Sequence, residues 1–234
     1  MYITTLNHIN DSTERLNSNV VVIDQFRATS TIVTALANGV SEVIACQSFE
    51  DAEKIKSEKN LKFFFIAAEY NSKKHPLADI SNSPSYLNNN KNIEKLLLAT
   101  TNGTKVLNKC SIKSERLFIA SILNISAVAN KIQKIKGDLT FFCSGNSGKF
   151  STEDSFCAGA IMSKLYNFRN DIIFSDNSKN AINYFKENSI ESLKSSPSAI
   201  KLDSVNAFND VEFSLKIDLY DIVPELINDT IRVL

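Results

Sequence analysis

The sequence predicts an α/β protein: a three-layer α/β/α arrangement around a mostly parallel, mixed sheet, with a C-terminal elaboration. Three observations carry this. Short apolar runs alternate with amphipathic stretches of helical length, the pattern of strands joined by crossover helices. Two runs end alike, in a short polar turn and a helix start: Val20-Val21-Val22-Ile23 leads into Asp24-Gln25-Phe26-Arg27-Ala28-Thr29-Ser30-Thr31, and Leu139-Thr140-Phe141-Phe142-Cys143 leads into Ser144-Gly145-Asn146-Ser147-Gly148-Lys149-Phe150-Ser151-Thr152-Glu153-Asp154. Finally, 234 residues with 43% apolar and 22% charged side chains suffice for one large domain with its own core.

Strands are expected at 20–23, 42–46, 61–66, 94–99, 116–120, 139–143 and 171–174, each an apolar run bounded by polar or turn residues. The helix after the first run, 31–38, meets its stop at Gly39. Helices are expected at 49–59, at 125–135 with Asn124 as N-cap, at 151–167 and at 177–188. The segment 71–92, with Pro76, Pro84 and three consecutive asparagines, reads as a long functional loop. A linker-like stretch at 192–198 precedes a helical segment at 209–219, and 221–224 reads as a last strand ending at Pro224. A single domain spanning 1–234 is expected, its motif-bearing core at about 18–175 and its C-terminal elaboration at about 190–234.

Composition narrows the function. Twenty-six basic and twenty-six acidic side chains cancel, which argues against nucleic-acid binding through phosphate neutralisation. The first ten residues lack the basic and apolar pattern of a signal peptide, and no run reaches the roughly eighteen apolar residues that span a bilayer. A cytoplasmic protein with no membrane partner is expected. Its four cysteines, without CxxC spacing, read as buried reduced thiols. With only His8 and His75 present, a histidine-rich zinc site is improbable.

The turns carry the chemistry. Asp24 emerges from a buried strand beside Arg27 and the hydroxyls of Thr29, Ser30 and Thr31. Arg27 suits a phosphate or sulfonate through its planar fork, with a salt bridge to Asp24 as the alternative. Thr100-Thr101-Asn102-Gly103-Thr104 follows an apolar run and precedes a helix, an arrangement that forms either an anion nest or a plain turn and cap. Gly145-Asn146-Ser147-Gly148-Lys149 is too short for a Walker A loop but places two glycines and a cation at a helix start. Ser151 and Asp154 have capping-box spacing, which leaves Glu153 without capping duty.

Taken together these segments resemble the 2-phosphosulfolactate phosphatase family, magnesium-dependent phosphatases associated with coenzyme M biosynthesis. The resemblance runs in order through Asp24 to Thr31, Asp79-Ile80-Ser81-Asn82-Ser83-Pro84, Thr100 to Thr104, and Gly145 to Asp154 followed by Ala158-Gly159. One departure stands out: where the family carries G-E-R, this chain reads Ala68-Glu69-Tyr70, keeping the glutamate and losing the arginine. The resemblance implies a Mg²⁺-dependent phosphatase acting on a small anionic phosphorylated metabolite. The expected catalytic residues are Asp24, Arg27 and Glu153. The expected metal ligands are Asp24, Glu69, Asp79 and Asp154, a hard-oxygen set that suits Mg²⁺. Substrate contacts are expected from Thr29, Asn82, Ser83, Thr101, Asn102, Gly103, Thr104, Gly145, Gly148, Lys149 and Ser151. All three turns are expected at one edge of the sheet, as in open α/β folds. A haloacid-dehalogenase-like phosphatase is the second enzyme reading, although Phe26 stands where its second aspartate belongs. The non-enzyme alternative is a degenerate member that binds an anion or partner without turnover. Whether the chain forms a homo-oligomer is left open.

Overall fold

The computed structural model describes residues 1–12, 16–100 and 102–234. In chain order the elements are β1 (Tyr2–Leu6), β2 (Asn19–Ile23), α1 (Ala28–Ala37), β3 (Glu42–Cys46), α2 (Phe49–Glu58), β4 (Phe64–Tyr70), β5 (Lys73–Lys74), α3 (Pro84–Asn89), β6 (Lys95–Ala99), α4 (Gly103–Ser111) and β7 (Arg116–Ala120). They continue with α5 (Ile125–Ile132), β8 (Leu139–Cys143), α6 (Thr152–Tyr166), β9 (Ile173–Phe174), α7 (Asp176–Glu187), α8 (Pro197–Asp203), α9 (Phe208–Ser214), β10 (Pro224–Ile227) and β11 (Thr230–Val233).

The strands form one sheet in the order β5-β4-β6-β3-β11-β10-β7-β2-β8-β1-β9. It consists of two parallel blocks. One holds β4, β6 and β3; the other holds β7, β2, β8, β1 and β9. The C-terminal hairpin β10–β11 fills the gap between them and pairs antiparallel on both sides. Arg116 grips Glu225 of the hairpin through two hydrogen bonds of 2.8 and 3.1 Å, and Glu42 beside it receives Lys95 and Arg232. Three successive antiparallel pairings mean that the two blocks run in opposite senses.

This corrects the expectation of one parallel edge. In a flat sheet, β2 and β6 would lie about 24 Å apart, at roughly 4.8 Å per strand. Yet a Cβ placed on Gly103, just past β6, would lie 2.5 Å from Oδ2 of Asp24, just past β2. The sheet therefore coils, as accumulated strand twist allows. Helices α1 and α4, the two connections that cross between blocks, fill the inside of the coil. Their Ile32, Val33, Leu36, Val106 and Leu107 share one core with Val20 and Val22 of β2 and Leu96 and Leu98 of β6. Helices α5 to α9 pack on the other face of the larger block around Phe118, Phe141, Phe156 and Met162. Helices thus cover both faces, as expected of a three-layer fold.

Most expected elements lie where the patterns put them, and the exceptions have local causes. The strand expected at 61–66 is Phe64–Tyr70 instead: α2 ends in a turn with Asn60 left-handed, Phe63 is exposed, and Phe64 and Ile66 face the core. The expected loop 71–92 holds β5 and α3, and Ser83 caps α3 by accepting from the Tyr86 N–H. The expected linker 192–198 is folded: a 3-10 turn at Ile190–Ser195 leads into α8, capped by Ser196. Pro224 begins the last hairpin rather than ending a strand, as a residue without an N–H does most cheaply. Asn124 does not cap α5 with its side chain. Its Oδ1 accepts from the Ser121 N–H, and its Nδ2 donates to the carbonyls of Ile119 and Ile222. All four cysteines are buried and free of disulfides, and no described helix is long and apolar enough to cross a membrane.

Candidate active site

The coil brings the C-terminal ends of β2, β4, β6 and β8 around one cavity. Asp24, Arg27, Glu69, Asn102, Ser144, Gly145, Ser151, Glu153 and Asp154 line it from the sheet side, and Ser198, Lys201 and Leu202 of α8 close it. Four carboxylates therefore share the cavity with two cations.

Asp24 follows Ile23, the last residue of a completely buried strand. Thr29 fixes its backbone twice: the Thr29 hydroxyl accepts from the Asp24 N–H at 3.0 Å and donates to the Asp24 carbonyl at 2.9 Å. Thr29 is itself fully buried and does not line the cavity, so it holds Asp24 in place. The Asp24 carboxyl receives a long 3.4 Å bond from the Ala28 N–H and a contact from the Ser144 hydroxyl. Burial raises its pKa to about 7, helped by the negative charges of Glu69 and Glu153 and opposed by hydrogen bonds from Ala28 and Ser144. Asp24 thus exchanges a proton near neutrality.

Asp154 ties two of the strand-end turns together. Its Oδ1 accepts from the Gln25 N–H at 2.8 Å, and its Oδ2 accepts from the Gly145 N–H at 3.1 Å and the Ser144 hydroxyl at 3.2 Å. Half of the expected capping box is present, with the Asp154 N–H donating to Ser151 Oγ at 3.2 Å. The carboxylate itself is spent on the neighbouring turns. Burial, Asp24 and Glu153 push its pKa well up. Glu153, one position earlier, lines the cavity and accepts one hydrogen bond from Thr152 at 3.0 Å.

Arg27 is buried, and its partner is not Asp24. One terminal nitrogen donates to Asp210 Oδ2 at 2.7 Å; the other donates to Glu69 Oε2 at 3.0 Å and to the Ser72 carbonyl at 2.8 Å. Asp210, from α9, also accepts from the Ser83 hydroxyl at 2.6 Å and from the hydroxyl and N–H of Ser85. Ser83 therefore reaches the site through Asp210 and Arg27. Asn82 is buried outside the cavity lining, and its Oδ1 has no partner among the described residues.

The remaining candidates separate clearly. Gly103 touches Asp24 so closely that any side chain there would displace it or Ala28. Asn102 lines the cavity, whereas Thr104 is buried and bonds back to Thr100; Thr101 lies outside the described residues. Gly145 and Gly148 both have positive φ, and Gly145 sits where a Cβ would collide with the Lys149 carbonyl and His8. Lys149 is exposed and lines an adjoining groove with Ser151, Glu153 and Ser198. Asp79 does not join the group. Its carboxylate accepts from the Ile66 N–H at 2.8 Å and faces Lys56 at 3.6 Å, in a separate cleft. Tyr70, at the family's arginine position, is exposed and does not line the cavity.

The donor set suits a hard divalent cation. Among the described residues no three acidic, histidine or cysteine side chains converge on one point. Mg²⁺ needs fewer, since it keeps waters and binds one or two carboxylates together with phosphate oxygens. Asp24 and Glu153 fit that requirement best, because Glu69 is committed to Arg27 and Asp154 to three donors.

Sequence reasoning missed Asp210, Ser198 and Lys201. All three lie in the C-terminal region, whose local sequence carries polar helix residues without a motif.

An acid-lined cavity at the carboxyl ends of strands in a coiled α/β sheet, with one buried carboxyl raised to about 7, is the active-site arrangement of an α/β enzyme. The family model for 2-phosphosulpholactate phosphatase matches residues 5–229. Relatives named probable 2-phosphosulfolactate phosphatase are 38% identical in Caldanaerobacter subterraneus subsp. tengcongensis, over 97% of this chain and 95% of that one. The Thermotoga maritima relative is 42% identical, over 89% and 88%. The chain belongs to the 2-phosphosulpholactate phosphatase family, a family of phosphoric monoester hydrolases.

Proposed function

We propose that this protein hydrolyses a small acidic phosphate monoester, 2-phosphosulfolactate or a close analogue, with Mg²⁺ as cofactor. The observation that supports this reading best is the convergence of Asp24, Glu69, Glu153 and Asp154 on one cavity that also holds Arg27 and Lys201. Carboxylates repel one another, and the repulsion is relieved by a cation, by protonation or by both.

Asp24 and Glu153 would hold the metal. When bound, it would neutralise charge on the phosphoryl oxygens and on the attacking water. The chain's own residues supply the rest. In the metal-free protein burial and the neighbouring carboxylates raise the Asp24 carboxyl to about 7, so proton and cation would compete for the same oxygens and binding the metal would leave Asp24 ionised. Asp154 ties the turns after β2 and β8 together, and Asp24 and Glu153 line the same cavity. Arg27, paired with both Glu69 and Asp210, holds the Glu69 carboxylate in place at the cavity wall. The test is phosphate release from 2-phosphosulfolactate with Mg²⁺. Release by the wild type is expected; binding without release would favour the degenerate, non-catalytic reading.

A further inference from the structure

Arg27 contributes little net charge to the cavity, because Glu69 and Asp210 both lie within 3.0 Å of its guanidinium. Lys201 is the other cation in the lining, and among the described residues it has no ion-pair partner. Its helix is firmly seated: Ala199 and Leu202 of α8 are buried in the core, and the Asn146 amide donates to Ser198 Oγ at 3.0 Å. The exposed lysine therefore stands on a fixed helix in the wall of the same cavity as the carboxylates.

We propose that Lys201 is a specificity-determining residue: its ammonium receives a second acidic group of the substrate, a carboxylate or sulfonate borne one or two carbons from the phosphate ester. This rests on the reading of the cavity as a phosphatase site. Arg27 is already paired with Glu69 and Asp210, which leaves Lys201 as the cation of the lining, among the described residues, that an acid tail can pair with, so the lysine both admits and orients it. A substrate without the acid tail makes no use of it.

The experiment compares phosphoglycolate with ethyl phosphate, which has the same length but a methyl group in place of the carboxylate. Lys201→Met keeps the apolar stem and removes the charge, and Lys201→Arg keeps the charge. Lys201→Met is expected to raise KM for phosphoglycolate about tenfold or more, the scale of one lost charge-assisted contact. Its kcat/KM for ethyl phosphate should stay within about twofold of wild type, and Lys201→Arg should recover most of the loss. Equal changes for both esters, or no change for phosphoglycolate, would overturn the proposal. If the wild type turns over neither ester, release from 2-phosphosulfolactate with Mg²⁺ decides the phosphatase reading by itself, and calorimetric binding of phosphoglycolate decides Lys201 alone. Weaker binding by Lys201→Met supports it; equal binding, or none by the wild type, overturns it.

Discussion

Arg27 donates to Asp210 Oδ2 at 2.7 Å across 183 positions of sequence, so a helix near the C-terminus holds the arginine that follows β2. Asp210 accepts three further hydrogen bonds from Ser83 and Ser85, and every partner is buried or nearly so. Asp210→Ala would leave the Arg27 guanidinium paired only at its Glu69 and Ser72 side. A loss of about 3–5 kcal/mol is expected, as for other broken buried pairs, with a smaller loss for Asp210→Asn. Urea unfolding of both variants beside the wild type checks this, and an unchanged midpoint for Asp210→Ala would contradict it.

Gly103 gives a second prediction. An alanine Cβ there would sit 2.5 Å from both Ala28 Cβ and Asp24 Oδ2. Alanine is otherwise the better helix residue by about 1 kcal/mol, so any destabilisation reports the clash. Gly103→Ala should lower stability by about 1–3 kcal/mol and cut turnover more than its stability loss explains, because Asp24 must move. Wild-type turnover would show that the two turns are not in contact.

Asp24 also predicts a pH dependence of stability. Its carboxyl is raised from 3.8 unfolded to about 7 folded. In this window the folded protein holds a proton that the unfolded chain releases, so the contribution is full below pH 4 and is lost as pH rises through 7. Without metal, Asp24→Asn should lack this loss. The melting temperature of the variant relative to wild type should therefore climb between pH 5 and pH 8, measured in chelator by calorimetry. A pH-independent difference would mean that Asp24 is not held at this pKa.

Much of the site was legible because motif residues lie at strand ends. A buried strand delivers its next residue to the sheet edge whatever surrounds it, and Asp24, Gly145 and Glu153 all line the one cavity there. The coil was not legible. It follows from hairpin β10–β11 inserting between two parallel blocks, and the short, half-polar segments Glu225-Leu226-Ile227 and Thr230-Ile231-Arg232 carry little strand signal of their own. For the same reason Asp79 looked eligible as a ligand: its family motif lies near Glu69 in sequence, yet the chain turns it toward Lys56. Capping-box spacing at Ser151 and Asp154 was also misleading, since the nearby Gln25 and Gly145 N–H groups compete for the carboxylate.

Metal dependence follows from the acid-rich lining. Phosphate release should stop in excess chelator and return with Mg²⁺, and Glu153→Gln should raise the Mg²⁺ concentration needed for half-maximal rate. Full activity in chelator would remove the metal from this account.

The most direct measurement is the rate of phosphate release from 2-phosphosulfolactate in Mg²⁺ by wild type and Asp24→Asn, each with its melting temperature near neutral pH. Asn keeps the size and most hydrogen bonding of Asp but cannot exchange the proton or bear the charge. The account predicts that turnover falls by several orders of magnitude while the protein stays folded. Near-wild-type turnover by Asp24→Asn would contradict it and leave Asp24 as a structural cap at the end of β2.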